Sequence, residues 1–261
     1  MARLFAEVLY DAGLRKKRKI VETTAQQAKD GGMDEFRKLV SKAKDGVLFI
    51  DEAYDLDPVG DFKGKPIVNE LLTLTENSRD SISVILAGYE DDFNAKLFSY
   101  NDGLKSRLES ILFEDFDESE LTTIWDGMRE EKCWKENSGV CRVAVSRLVK
   151  LSGRKGFGNA REVRKVMEKS IQSAMVRLGE ELDESTMVLD IVDVIGEDPR
   201  HSKKLEALLT EIDGKIGWKR IKEKIWELIN LCGANRDREL KGEPQHDIFL
   251  NRMFLGNPGK I

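Results

Sequence analysis

The sequence predicts an α/β protein, a parallel sheet covered by helices on both faces and followed by an all-helical unit, and three observations carry that prediction. First, Gly46-Val47-Leu48-Phe49-Ile50-Asp51-Glu52-Ala53-Tyr54 sets four apolar residues directly before two carboxylates. Such a run reads as a strand buried on both faces whose end opens on a crevice. Second, short apolar runs recur at 81–89 and 111–113, with helical spacing over 67–77 and 104–109 between them, so strands and helices alternate. Third, only helical patterns follow from Asp117 onward, apart from one apolar run near the end of the chain. Those nine residues alone fit equally well a buried strand followed by a solvated acidic turn, and the neighbouring segments decide between the two.

In chain order, Leu4, Phe5, Val8, Leu9 and Ala12 form one stripe that stops at Gly13, so 1–14 reads as an amphipathic helix. No Ser, Thr, Asp or Asn caps its first turn, which leads us to expect sequence upstream of it. Arg15-Lys16-Lys17-Arg18-Lys19 is a basic run, read as a solvated loop in preference to a phosphate contact. Ile20-Val21-Glu22-Thr23 is a strand, and Lys29-Asp30-Gly31-Gly32-Met33 a turn before a helix over 34–43. Residues 55–66 hold three Asp, two Gly and two Pro, which is loop chemistry. Helices are expected over 118–131, 141–152, 159–178, 190–195 and 218–232, with a polar connector at 180–184. A polar turn through Lys241-Gly242-Glu243-Pro244 precedes Ile248-Phe249-Leu250-Asn251-Arg252-Met253-Phe254-Leu255, the apolar run near the chain's end and a further strand candidate.

Composition narrows the chemistry. Across 261 residues, 43 Lys and Arg against 48 Asp and Glu leave a net charge of −5, which gives no overall argument for nucleic acid or an anionic membrane as partner. No apolar run approaches the ~20 residues needed to span a bilayer, and the N-terminus lacks a signal-peptide core, so a cytoplasmic protein is expected. Cys133, Cys141 and Cys232 are odd in number and never spaced as C-x-x-C, which argues against a disulfide scaffold or zinc. His201 and His246 stand far from any nucleophile motif, which argues against Ser-His or Cys-His catalysis.

The ordered set of the opening stretch, Ile85-Leu86-Ala87-Gly88-Tyr89, Gly103-Leu104-Lys105-Ser106-Arg107-Leu108, Gly158-Asn159-Ala160-Arg161 and the closing Phe254-Leu255-Gly256-Asn257-Pro258-Gly259 resembles the AAA+ ATPases. Within them it is similar to the CbxX/CfqX group, which includes Rubisco-activase-type and sporulation-type proteins. The resemblance covers nearly the whole chain. It implies a P-loop NTPase-type parallel sheet with a helical lid, ATP and Mg²⁺ as cofactors, a ring-shaped homo- or hetero-oligomer, and a protein substrate that ATP hydrolysis remodels. It implies an α/β core over 1–116, a helical lid over 117–205, and the first helix and first strand of a second module over 206–261.

The resemblance also implies residue roles. Asp51 resembles the Walker B aspartate that holds Mg²⁺ through its water shell, as suits a hard cation with few protein ligands. Glu52 resembles the base that activates the attacking water. Arg107 resembles the arginine finger offered to a neighbouring subunit's γ-phosphate, with Lys105 the competing candidate; a planar permanent cation suits phosphoryl transfer. Arg161 resembles the sensor 2 arginine at the start of a lid helix, and Tyr89 stands where the family often carries a polar sensor 1 residue. The pore loop of the family falls near 27–33, where this sequence has no aromatic residue. Gly256, Asn257, Pro258 and Gly259 resemble the opening of a phosphate-binding loop.

One departure stands out. No G-x-x-x-x-G-K-S/T occurs anywhere in the 261 residues, so the backbone cradle and lysine that hold β- and γ-phosphates are missing from this sequence. The expectation is a chain that begins just after one such loop and ends inside the next, binding ATP poorly by itself. A catalytically inactive adaptor or regulatory fragment is the alternative; nucleic-acid binding through Arg15 to Lys19 is disfavoured by the net charge. The strand before the loop lies centrally in AAA+ sheets, so a further expectation is that 252–255 fills that slot, as in a circular permutant.

Overall fold

The computed structural model describes residues 1–154, 156–179, 183 and 185–255. It comprises two units, one ending at Leu112 and one beginning at Phe113.

The first unit contains α1 (Ala2–Asp11), β1 (Ile20–Thr24), α2 (Ala25–Ala43), β2 (Val47–Asp51), α3 (Gly64–Asn77) and β3 (Ser83–Leu86). The strands form one parallel sheet in the order β1-β2-β3, with Thr24 opposite Asp51 and Ile50 opposite Leu86. Strand-helix-strand connections of this length are what parallel pairing requires. The start of α2 follows from local chemistry: the Gln27 N–H donates to Thr24 Oγ1 at 3.1 Å while the Thr24 N–H donates to Gln27 Oε1 at 3.3 Å. This reciprocal cap satisfies two otherwise orphaned donors. At Gly32 the backbone enters the left-handed region, φ 70°, where glycine alone carries no Cβ penalty. The expected turn at 29–33 is therefore a kink inside a helix that already starts at Ala25. Phe36, Leu48, Ile50, Leu56, Ile67 and Leu71 are fully buried and form the centre of this core.

Two strand expectations fail. Residues 111–113 form no strand, and Ile111, Leu112 and Phe113 are exposed. Residues 248–255 likewise form no strand, and Phe249, Leu250, Met253, Phe254 and Leu255 are exposed, so 252–255 does not fill a central slot in this chain's sheet. Apolar content alone does not make a strand: one is completed only by a hydrogen-bonding neighbour, and neither segment pairs with a strand among the described residues. The helix expected over 104–109 shortens to Asp102–Lys105, after a wide helical turn over Phe93–Phe98 that buries Phe93 and Leu97.

The second unit contains α4 (Glu118–Glu131), β4 (Lys135–Glu136), α5 (Val140–Val149), α6 (Ala160–Leu178), β5 (Val188–Leu189), α7 (Ile191–Ile195), α8 (Lys203–Gly214) and α9 (Lys219–Lys241). Asp117 and Glu120 cap α4 reciprocally, at 2.8 and 3.0 Å. Leu121, Trp125, Leu148 and Met167 fill the core between α4, α5 and α6. The pair β4 and β5 is two residues long on each side, too short to leave a periodic signal. Helix α8 was missed although Leu205, Leu208, Leu209 and Ile212 recur at helical spacing. Helix α9 runs nine residues beyond the expected end at 232. Its extension carries Glu239, which receives Arg147 Nε at 2.6 Å and Nη2 at 3.0 Å in a paired fork. Among the described residues, no helix is long and apolar enough to cross a membrane.

Candidate functional site

The site is built at the C-terminal end of β2. Val47, Leu48 and Ile50 are buried, and Asp51, the last strand residue, is exposed. The burial pattern matches the sequence: the apolar run fills the core and the first carboxylate emerges where pairing with β1 stops. Glu52 then adopts left-handed backbone geometry, φ 50°, uncommon for a residue with a Cβ. Both acids are exposed to solvent. The Glu52 N–H donates to Asp51 Oδ1 at 3.0 Å, which fixes the aspartate against its neighbour. Neither carboxylate forms an ion pair among the described residues.

Two further features hold the turn. The Ala53 N–H donates to Ala87 O at 2.9 Å and the Ala87 N–H to Ile50 O at 3.0 Å, joining the ends of β2 and β3. Tyr54 packs against Tyr89, with centroids 5.9 Å apart, and edge-on to Phe93 at 6.4 Å. Burial first, then the charges of Glu52 and Asp55, push the Tyr54 hydroxyl up from its ordinary range. Gly88 is tightly hemmed: a Cβ there would lie 2.5 Å from the Tyr54 ring. The loop that follows is tied down by Lys29, whose side chain is buried and whose Nζ donates to Asp55 O at 2.7 Å and Asp61 Oδ2 at 3.0 Å. That hydrogen bond, with one from the Lys63 N–H, holds the Asp61 carboxyl below its ordinary range. Lys29 escaped sequence reasoning because its partners lie 26 and 32 residues away.

The structure thus brings Asp51, Glu52 and Tyr89 to neighbouring strand ends. Arg107 sits in the same unit but is held elsewhere, with Nη1 donating to Gly103 O at 2.6 Å and Nη2 to Glu76 Oε2 at 3.1 Å. The rival Lys105 lies with its ammonium 5.7 Å over the Phe98 ring. In the second unit, Arg161 is exposed on the first turn of α6. Its motif carries a second, structural element. Asn159 Oδ1 accepts the Phe116 N–H at 2.7 Å, and Asn159 Nδ2 donates to Asp115 Oδ1 at 2.7 Å. Asp115 Oδ2 accepts the Gly153 N–H at 2.8 Å, and these contacts hold its carboxyl below the ordinary range. Gly256, Asn257, Pro258 and Gly259 lie outside the described residues.

The exposed carboxylate of Asp51, with one oxygen oriented by a backbone N–H and no thiol or imidazole within its own unit, fits a hard cation held through water. The residues around it offer no backbone cradle of the G-x-x-x-x-G-K-S/T kind for phosphates. The first unit contains no cysteine. Cys141, in the second unit, has its thiol pushed up to about 12 by burial and by the charges of Glu136 and Asp126, far from the thiolate a nucleophile needs.

Residues 117–204 match the family described as the AAA lid domain. The chain is 30% identical, over 178 residues, to a chloroplastic ribulose bisphosphate carboxylase/oxygenase activase of Cyanidioschyzon merolae, covering 65% of this chain and 60% of that relative. It is 31% identical over 198 residues to the chromosomal protein CbxX of Cupriavidus necator, covering 73% of this chain and 61% of the relative. Against the ESX-1 secretion system protein EccA1 of Mycobacterium tuberculosis it is 32% identical over 208 residues, 72% of this chain and 35% of the relative. The chain therefore spans about 60% of the length of the first two and about a third of the last. Among solved structures, a RuvB mutant of Thermotoga maritima shares the fold with a TM-score of 0.50 at 13% identity, covering 73% of this chain and 53% of that one.

Proposed function

We propose that this chain, which belongs to the CbxX/CfqX-like AAA+ ATPases, contributes the catalytic acids of an MgATP site whose hydrolysis remodels a protein partner within an oligomeric ring. The observation that carries the reading is the pair of exposed acids at the end of β2: Asp51, whose Oδ1 accepts the Glu52 N–H, and Glu52, in left-handed backbone geometry directly after it. In this reading the first carboxylate would orient a hydrated cation and the second would accept a proton from water.

In this reading Asp51 would hold Mg²⁺ through water, and the ion would supply charge neutralisation for the phosphates. Glu52 orients and deprotonates the attacking water, a contribution of about 10²–10⁴ in rate for a well-placed base. Arg107 exchanges its exposed contact with Glu76 for a neighbouring subunit's γ-phosphate; surface ion pairs of this kind are worth only ~0–1 kcal/mol, so the exchange is cheap. Tyr89 and Arg161 report nucleotide state from β3 and from the lid helix α6. We assign 1–116 to the α/β core, 117–205 to the lid and 206–261 to the opening of a second module. Ribulose bisphosphate carboxylase/oxygenase, the target named for one relative, illustrates the class of folded protein complex such a module acts on.

The sequence departs from this picture at one point, the missing cradle, and that favours a second reading for the chain by itself: a module that keeps the acids and the finger but does not turn over ATP. Calorimetry separates the two. MgATP is expected to bind tightly only to a version extended upstream through a complete phosphate-binding loop, and Glu52→Gln in that version should keep binding while losing hydrolysis. Equal tight binding by both versions refutes the need for the cradle, and unchanged hydrolysis in Glu52→Gln refutes the base.

A further inference from the structure

Helix α6 opens on a residue whose side chain does not do what that position favours. Asn159 directly precedes the first helical residue, where an asparagine ordinarily accepts an N–H of the first turn. It makes no such cap. Instead its Oδ1 accepts the Phe116 N–H at 2.7 Å and its Nδ2 donates to Asp115 Oδ1 at 2.7 Å. Asp115 Oδ2 in turn accepts the Gly153 N–H at 2.8 Å and the Ser152 hydroxyl at 3.3 Å. A backbone N–H can only donate and a carboxylate can only accept, so the group between them must do both, as an amide does.

The backbone at this point is strained. Asn159 has φ 45° and ψ −114°, a combination that residues with a Cβ rarely adopt and that persists only where neighbouring contacts hold it. The same residue begins the helical ladder, because its C=O accepts the Glu162 N–H at 2.9 Å and the Val163 N–H at 3.1 Å. Arg161 stands on this first turn, exposed, with its side chain in no hydrogen bond or ion pair among the described residues. A Cβ at Gly158 would lie 3.2 Å from Arg161 Cβ, so the approach to the turn is close as well. With no partner gripping its guanidinium, the position of Arg161 follows from where α6 starts.

We infer that Asn159 is a positioning residue for Arg161: its amide latches the start of α6 to Asp115 and Phe116 and so fixes the place from which the arginine meets nucleotide. The inference rests on the reading of Arg161 as the lid's reporter of nucleotide state. It accounts for both oddities of Asn159, the forgone cap and the strained backbone, since a side chain turned inward to cap the helix could not hold residues 115 and 116.

A swap of donor and acceptor tests the latch. Asn159→Asp sets two carboxylates against each other, whereas Asn159→Asp with Asp115→Asn restores each bond with the roles reversed. In the chain itself, hydrogen exchange at the Phe116 and Gly153 amides should quicken about fivefold or more in the single variant and return to within roughly twofold in the swap. The version extended upstream through a complete phosphate-binding loop reads the consequence for Arg161. There Arg161→Ala and Asn159→Asp should each raise the MgATP dissociation constant about fivefold or more, and the swap should restore it. Added to Arg161→Ala, Asn159→Asp should weaken binding by less than roughly twofold further. An undiminished effect of Asn159→Asp without Arg161, or a swap that recovers amide protection but not affinity, would overturn the inference while leaving the reporter reading intact. Unchanged affinity in Arg161→Ala would sink the reporter reading itself, and the positioning role with it. If Asn159→Asp does not fold, Asn159→Gly removes the amide at a backbone conformation that glycine accepts. That variant should keep its stability, read by tryptophan fluorescence in urea, and still bind MgATP about fivefold more weakly or worse; unchanged binding refutes the role.

Discussion

Replacing Gly88 by alanine adds one methyl at the tightest point of the candidate site. The new Cβ would lie 2.5 Å from Tyr54 Cδ1, 2.9 Å from Phe93 Cε2 and 3.0 Å from Tyr54 Cε1. All three are ring atoms packed against one another, and none is the far end of a flexible chain. Gly88 does not occupy the left-handed region, so the penalty is steric and not conformational. Inserting a methylene-sized group into a packed cluster costs about 1–3 kcal/mol, because rings must leave their rotamers or the backbone must shift. The four tryptophans, Trp125, Trp134, Trp218 and Trp226, all belong to the second unit, so tryptophan fluorescence is blind to this change. Native-state hydrogen exchange on β2 and β3 reads it directly, as a loss of protection of about 5- to 150-fold for that range of energies. Tyr54→Ala removes two of the three clashing atoms. In that background the cost of Gly88→Ala should fall by at least half, a coupling that a double-mutant cycle measures. The same cost in both backgrounds would refute the claim that the Tyr54 ring is why glycine stands at position 88.

Two other outcomes are expected. Arg177 donates from Nε and Nη2 to Asp193 at 2.9 and 2.8 Å, and the Asp193 side chain is 2% exposed. Arg177→Met strands a buried carboxylate and should destabilise the second unit by roughly 2–4 kcal/mol, read by tryptophan fluorescence in urea, with partial recovery in Arg177→Met/Asp193→Asn. Asp198 receives Arg200 through Nε and Nη2 and through the Arg200 N–H, and the Arg200 guanidinium holds its carboxyl down to about 2. The folded value lies below the ordinary ~3.9, so this contribution is complete above about pH 4 and is lost as the pH falls toward 2. Asp198→Asn should flatten stability across that window, and an unchanged acid limb would contradict the assignment.

What the sequence by itself determined is whatever rests on neighbouring residues. The run of Val47 to Ile50 into Asp51 and Glu52 and the change to helices after Asp117 are local chemistry, and the structure carries both. The motifs that resemble AAA+ proteins are legible for the same reason. Tertiary structure decided the rest. Apolar content suggests strands at 111–113 and 248–255, but a strand is completed only by pairing with a neighbour's N–H and C=O groups, and neither run pairs with one among the described residues. The reach of α9 to Lys241 depends on Arg147, 92 residues from Glu239. The burial of Lys29 depends on a loop that sequence distance hides. The left-handed geometry at Glu52 is followed at once by hydrogen bonds that join Ala53 and Ala87 across two strands, a pairing that residues 34 positions apart do not announce in the sequence. Local preference is encoded residue by residue, whereas pairing and burial are properties of partners that only folding brings together.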